Sequence, residues 1–120
     1  MAQANKAETL DRASDFGTDF ATATIKIKAG ANVLATHTLA GFTFSNDPDV
    51  ENPTDDGLAT AEEIADVAIT GLGVQTADGA EMTAGSKTYS LSVADLNLST
   101  TTYVNGETSS INSLVVRFKA

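Results

Sequence analysis

The sequence predicts a mostly β fold, an antiparallel β-sandwich or barrel of about seven to eight short strands behind a short N-terminal helix or arm. Three observations predict it. Apolar and polar residues alternate with a period of two in several separate stretches, the pattern of a strand with one face buried. Glycine, asparagine and aspartate interrupt those stretches about every 8 to 12 residues. A helix-like stretch with capping chemistry opens the chain. Residues 1–20 therefore read as the arm or short helix and residues 21–120 as a single β-sandwich domain, with no internal repeat and no linker dividing it.

The helix is expected over residues 5–17. Asn5 can cap it, Glu8 stands three residues later as in a capping box, and Gly17 can close it in a left-handed conformation. Leu10, Ala13 and Phe16 would share one face. A helix this short cannot stand alone in water, so it must lean on the body of the fold or on a neighbouring chain. The first five residues are expected to be a mobile arm until something orders them.

From Ala21 the period changes. Ala21, Ala23, Ile25 and Ile27 alternate with Thr22, Thr24, Lys26 and Lys28, the clearest strand of the first half. Ala29-Gly30-Ala31-Asn32 supplies a turn, and Val33–Ala40 would return as its hairpin partner. Phe42 and Phe44, two apart, would point to one side as core or interface anchors. Between Asn46 and Asp56 the chain holds five acids and two prolines, a composition that reads as an exposed acidic loop. Residues 58–67 are open between helix and strand, since Thr60 with Glu63 resembles a capping box whereas the flanking segments favour strand.

Residues 68–76 read as a strand interrupted by Gly71 and Gly73, and Asp78-Gly79 gives a hairpin signal. Tyr89, Leu91 and Val93 alternate with Thr88, Ser90 and Ser92. Asn105-Gly106 is the strongest two-residue hairpin signal in the chain. It is expected to lead into a last strand with Leu114, Val116 and Phe118 inward and Ser113, Arg117 and Lys119 outward.

Composition bounds the function. The 120 residues, 42% apolar and 19% charged, suit one globular domain. With no Trp, five Phe and two Tyr the core is light, so partner contacts are expected to supply part of the stability. Sixteen acids against seven bases give a net charge of −9, which repels a phosphate backbone and argues against nucleic acid as a partner. The absence of Cys removes disulfides, thiolate chemistry and Cys-ligated zinc, and is compatible with assembly in a reducing cytoplasm. No run approaches the roughly 18 apolar residues of a membrane span, so no membrane partner is expected. Nor does an apolar run follow Met-Ala-Gln-Ala-Asn-Lys, so no signal peptide is expected.

Catalytic and binding chemistry finds little support. A Ser–His–acid hydrolase needs a histidine beside a nucleophile, and the single histidine, His37, lies between Thr36 and Thr38 in a predicted strand without a nucleophile-elbow motif. An exposed or hydrogen-bonded strand histidine is the expectation. Asp47, Asp49 and Glu51 alternate like calcium ligands, but the glycine an EF-hand loop needs at its sixth position is replaced by Asn52, followed by Pro53. Glu62 and Glu63, adjacent on a possible helix, face different directions and form no glycosidase pair. Gly71-Leu72-Gly73 lacks the third glycine and the lysine of a phosphate loop, so close backbone approach explains it better. Lys26, Lys28, Lys87, Arg117 and Lys119 read as strand-face charges that discourage edge-to-edge aggregation. No catalytic residue, metal ligand or cofactor is therefore expected.

The order of motifs from about residue 20 to 118 resembles a family of small virion-associated proteins encoded among the head genes of tailed bacteriophages. The segments that carry the likeness are Thr24-Ile25-Lys26-Ile27-Lys28-Ala29-Gly30, Leu34-Ala35-Thr36-His37-Thr38-Leu39 with Phe42, and Gly57-Leu58-Ala59-Thr60-Ala61. They continue with Ile69-Thr70-Gly71, Ala77-Asp78-Gly79-Ala80, Asp95-Leu96-Asn97-Leu98-Ser99-Thr100-Thr101 and Val104-Asn105-Gly106-Glu107-Thr108. The acidic stretch at 46–56 is longer than the family pattern, and Glu62-Glu63-Ile64-Ala65 looks more helical than its strand. The resemblance implies a β-sandwich virion component, in first place a capsid decoration or cement protein on the head exterior, made in the host cytoplasm. It implies the major capsid protein as partner, together with further copies of the chain in a homotrimer or other symmetric homo-oligomer. Other virion positions (tail tube, head-to-tail connector or fibre) and a non-viral β-sandwich surface-binding module are the alternatives. Leu10, Phe16, Phe20, Phe42 and Phe44 are the candidate inter-subunit contacts, and a helix that merely caps its own domain would bury the same N-terminal stripe.

Overall fold

The computed structural model describes residues 6–47 and 56–118. Among these residues one α-helix, α1 (Lys6–Asp19), precedes eleven strands, with a short 3-10 helix at Val93–Leu96 between the eighth and ninth: β1 (Thr24–Ala29), β2 (Asn32–Thr38), β3 (Phe42–Asp47), β4 (Asp56–Ala61), β5 (Val67–Ala68), β6 (Val74–Thr76), β7 (Gly79–Ala84), β8 (Lys87–Leu91), β9 (Thr102–Val104), β10 (Thr108–Ser109) and β11 (Val115–Phe118). The architecture is the expected mostly β one, a sandwich of antiparallel sheets. The strand count exceeds the expectation because the second half is cut into pieces of two and three residues. One sheet runs β2-β1-β7-β8 and a second runs β11-β4-β3; two small ladders, β5 with β10 and β6 with β9, complete the fold.

Alternation decides β1: Ile25 and Ile27 are fully buried while Lys26 between them is exposed. Strand β2 departs from simple alternation, with Leu34 and Ala35 both buried. The cause is a bulge. Ile27 pairs with Ala35 and Lys28 with Val33, so Leu34 is an extra residue on its strand. Its carbonyl is thereby released from the ladder and accepts from the backbone N–H of Thr70 and Gly71 at 2.9 and 3.0 Å.

Helix α1 lies on the second sheet, packed against β3, β4 and β11. Its buried face is Thr9, Ala13 and Phe16, continued by Phe20 just past its end, and the spacings of four, three and four trace one helical stripe. Leu10 stands at the margin of that stripe, half-buried. Gly17 does not close the helix as expected. The helix runs two residues further, and Gly17 is instead a packing site: a Cβ there would collide with the Phe44 ring and stand 3.2 Å from Phe42 Cβ. Gly57 plays the matching part on β4, where a Cβ would strike the Thr9 backbone carbonyl. A side chain at 57 would hold the helix off the sheet.

One open reading closes and two expectations change. Residues 58–61 continue β4, and 62–66 are irregular, so no helix forms there; every β4 residue pairs with β3, and Gly57–Thr60 pair with β11 as well. Asp78-Gly79 does not make a hairpin, because β6 pairs with β9 while β7 pairs with β1 and β8. The Asp78 carboxylate is committed elsewhere, accepting from the Gly30 N–H at 3.0 Å and so bracing the β1–β2 turn. Asn105-Gly106 does turn the chain, with Gly106 at φ +88 and the Glu107 N–H donating to the Val104 carbonyl at 3.0 Å. Its positive φ falls at the second central residue, a type II turn, and the strands it joins pair with β6 and β5 rather than with each other. The tight hairpin of this region is β7–β8, turning at Gly85-Ser86. The last strand follows expectation, with Leu114 and Val116 buried and Arg117 outward.

Candidate functional site

His37 is the obvious place to look for chemistry. It sits on β2, fully buried, and each ring nitrogen has a partner: Nδ1 lies 2.9 Å from the Ala65 carbonyl and Nε2 lies 2.8 Å from Ser109 Oγ. A carbonyl only accepts, so the proton of the neutral ring is on Nδ1 and Nε2 accepts from the Ser109 hydroxyl. Tyr103 Oη, 2.8 Å from Ser109 Oγ, completes the run by donating to it. Burial is the first cause of the lowered His37 pKa, opposed by the Ala65 carbonyl and the Asp66 charge. Burial likewise raises the Tyr103 pKa, against the bond to Ser109. Both shifts favour the neutral forms that this bonding pattern needs.

A histidine beside a serine hydroxyl has the outline of a nucleophile and its base. Here Ser109 is 0% exposed and its hydroxyl is held between the ring and the tyrosine. No substrate atom reaches it in this conformation. The run has another use. It ties β2, residue 65, β9 and β10 together, fastening the two small ladders to the larger sheet without burying a charge.

The second buried polar site was not legible in the sequence. Asp56, expected in a solvated loop, is 0% exposed at the start of β4, and its Oδ2 accepts from Arg117 Nη1 of β11 at 2.6 Å. Asn46 Nδ2 donates to the Asp56 carbonyl at 3.3 Å. The rest of the expected acidic loop, residues 48–55 with Asp49 and Glu51, lies outside the described residues, as does the N-terminal arm over residues 1–5. Among the described residues no group of three or more His, Cys, Asp or Glu is arranged to hold a metal.

The candidate contact residues divide. Phe16 and Phe20 are buried within the chain, their rings 4.8 Å apart, and Phe16 also meets Phe42 at 5.5 Å, Tyr89 at 5.3 Å and Phe118 at 5.7 Å. Leu10 and Phe42 are half-buried; Phe44 is 40% exposed. The other exposed large apolar side chains are Val33, Leu72, Val74, Tyr89 and Val115, none of which the sequence reading singled out as a contact. Tyr89 and Val115 line a groove with Leu91, Leu114 and Val116, and their strands, β8 and β11, each end a sheet among the described residues. Alternation could have flagged Val115, which stands between buried Leu114 and Val116, but not Tyr89, which shares the inward face of Leu91 and is exposed because its strand ends the sheet. No protein-family model, curated protein or solved structure matches this chain.

Proposed function

We propose that this chain is a non-catalytic virion structural protein, a capsid decoration or cement protein of a tailed-phage head. In this reading it binds the head exterior, stabilises contacts between major capsid subunits and forms a symmetric homo-oligomer, a homotrimer in first place. The reading rests on the order of strand and turn motifs set out above. The structural observation that supports it is the placing of exposed apolar side chains on strands that end their sheets among the described residues: Phe44 on β3, Tyr89 on β8 and Val115 on β11. Unpaired edges and apolar side chains are what a subunit that works by packing against neighbours presents. The buried His37 run is, in this reading, a device of the fold and not of catalysis.

The test is to add the purified chain to undecorated heads and to measure binding and resistance to heat. Saturable binding with a higher disruption temperature is expected. Failure to bind and to protect would remove the decoration reading. Copy number in purified virions separates shell from tail: hundreds of copies are expected, and about a dozen would move the protein to the connector or tail, given the symmetries available to each.

A further inference from the structure

Three dipeptides of the chain place Asp or Asn before glycine: Asp56-Gly57, Asp78-Gly79 and Asn105-Gly106. In each, a glycine nitrogen unhindered by a side chain stands one ring closure away from the carbonyl carbon of the preceding side chain. The structure separates the three. Asp56 is fully buried and bonded to Arg117, and Gly57 pairs on both sides, with Asn46 of β3 and Phe118 of β11. The Asp78 carboxylate accepts from the Gly30 N–H at 3.0 Å, and Gly79 pairs with Lys28 of β1. Asn105 and Gly106 are both exposed, on the turn between β9 and β10. Theirs is also the one amide among the three, a better acyl group than a carboxylate at neutral pH.

That turn is nonetheless braced. The Asn105 N–H donates to the Gly73 carbonyl at 3.1 Å, the Gly106 N–H to the Ile69 carbonyl at 3.0 Å and Asn105 Nδ2 to the Thr70 carbonyl at 3.4 Å. The nitrogen that would attack is engaged, and so is the amide that would leave. A type II turn also holds its first central residue at a ψ of about +120°, which turns the glycine nitrogen away from the asparagine side chain. Ring closure therefore needs the turn to open.

We propose that Asn105 is the chain's site of spontaneous deamidation and that the reaction waits on the opening of the turn over residues 104–107. The Gly106 nitrogen attacks Asn105 Cγ: a C–N bond forms, the Cγ–Nδ2 bond breaks, and the amide nitrogen leaves as ammonia with the Gly106 proton. Water then opens the cyclic imide at either of its carbonyls, leaving aspartate or isoaspartate at 105. No co-reactant other than water enters. The product does not restore the original turn, because the Nδ2 donor is lost. In its place either a carboxylate meets the Thr70 carbonyl or the backbone is one carbon longer. Opening is opposed from the two flanking strands, since the turn joins β9 to β10 and Tyr103 Oη and Ser109 Oγ bond between them at 2.8 Å. The buried run that ends on His37 thus helps to hold the turn shut. The inference concerns the chain itself and does not rest on the virion reading; either can fail without the other.

Peptide mapping by mass spectrometry tests it, on the full chain kept folded and, in parallel, unfolded in guanidinium chloride, both in mildly alkaline buffer. Conversion at Asn105 ahead of every other asparagine is expected in both, and roughly tenfold or more slower in the folded chain, where the turn must open first. Hydrogen exchange of the Gly106 N–H measures that opening separately, and its protection should match the slowing within about an order of magnitude. Tyr103→Phe keeps the ring and removes the bond to Ser109. It should speed conversion by up to about fivefold in the folded chain, the worth of one hydrogen bond, and leave the unfolded rate unchanged. Equal rates folded and unfolded, a folded chain that stays unmodified at 105 while its Gly106 N–H exchanges, earlier conversion at another residue, or a folded rate indifferent to Tyr103→Phe would overturn the proposal.

Discussion

The helix side of the molecule and the histidine side are held together by different physics. On the helix side Phe16 is the hub, its ring within 6 Å, centroid to centroid, of Phe20, Phe42, Tyr89 and Phe118. On the histidine side three short polar contacts run from Ala65 through His37 and Ser109 to Tyr103. Burial of those rings is driven by the hydrophobic effect, so their contribution should be large in free energy and change little between pH 5 and pH 8. The polar run contributes less net energy, but it fails sharply when one member is lost, because its neighbours stay buried without partners. The lesson is that a light core can be divided: one half supplies stability, the other fixes which small ladder lies where.

The comparison breaks most easily at Phe16. Phe16→Ala should cost about 3–5 kcal/mol, the range for truncating a buried aromatic, since the ring is 8% exposed and the cavity would open among four other rings. Denaturant unfolding would measure it. A loss under about 1 kcal/mol would mean that the helix is not anchored by this ring. The loss should be the same at pH 5 and pH 8.

A smaller and more specific effect is expected at Ser109. Ser109→Ala removes the donor to His37 Nε2 and the acceptor for Tyr103 Oη, two buried groups left unsatisfied, for about 1–3 kcal/mol. Tyr103→Phe alone removes one donor and should cost less. Combining the two should recover part of the sum, because the second change deletes a group that the first had orphaned. Strict additivity in that cycle would show that the hydroxyls do not act as one run.

How much of this was legible in the sequence follows from the range of the interactions. Strands β1, β2 and β8 and the burial of Leu114 and Val116 were readable because alternation is a local property. The bulge at Leu34 was not, since two adjacent buried residues break the pattern that would reveal it. Asp78-Gly79 and Asn105-Gly106 show the same limit from the other side. A dipeptide specifies a turn, whereas the strands flanking these two pair with others far along the chain. The buried polar sites were the least legible. Ser109 stands 72 residues from His37, and Arg117 stands 61 from Asp56, so no local spacing ties either pair. Gly17 reads as a helix end when its use, like that of Gly57, is contact between a helix and a sheet.

The least effect, and the sharpest for the comparison, is in pH. Folding lowers the His37 pKa below its ordinary 6.5, so in falling pH the unfolded chain takes up its proton first. Where the unfolded state binds more protons, stability rises with pH. The contribution of His37 is therefore complete above about pH 6.5 and is lost as pH falls from there toward the folded value, with a slope of at most about 1.4 kcal/mol per pH unit for one proton. Tyr103 sets the opposite limb: its pKa is raised above 10.0, so stability declines as pH climbs past 10. Other carboxylates also titrate in acid, so the quantity to measure is a difference. His37→Gln keeps one donor and one acceptor but cannot titrate, and the gap between wild type and this variant should narrow between pH 7 and pH 5. Phe16→Ala, by contrast, should run parallel to wild type throughout. A wild-type curve parallel to His37→Gln across that interval would mean that the ring is not held neutral by the fold, and the division between the two sides would go with it.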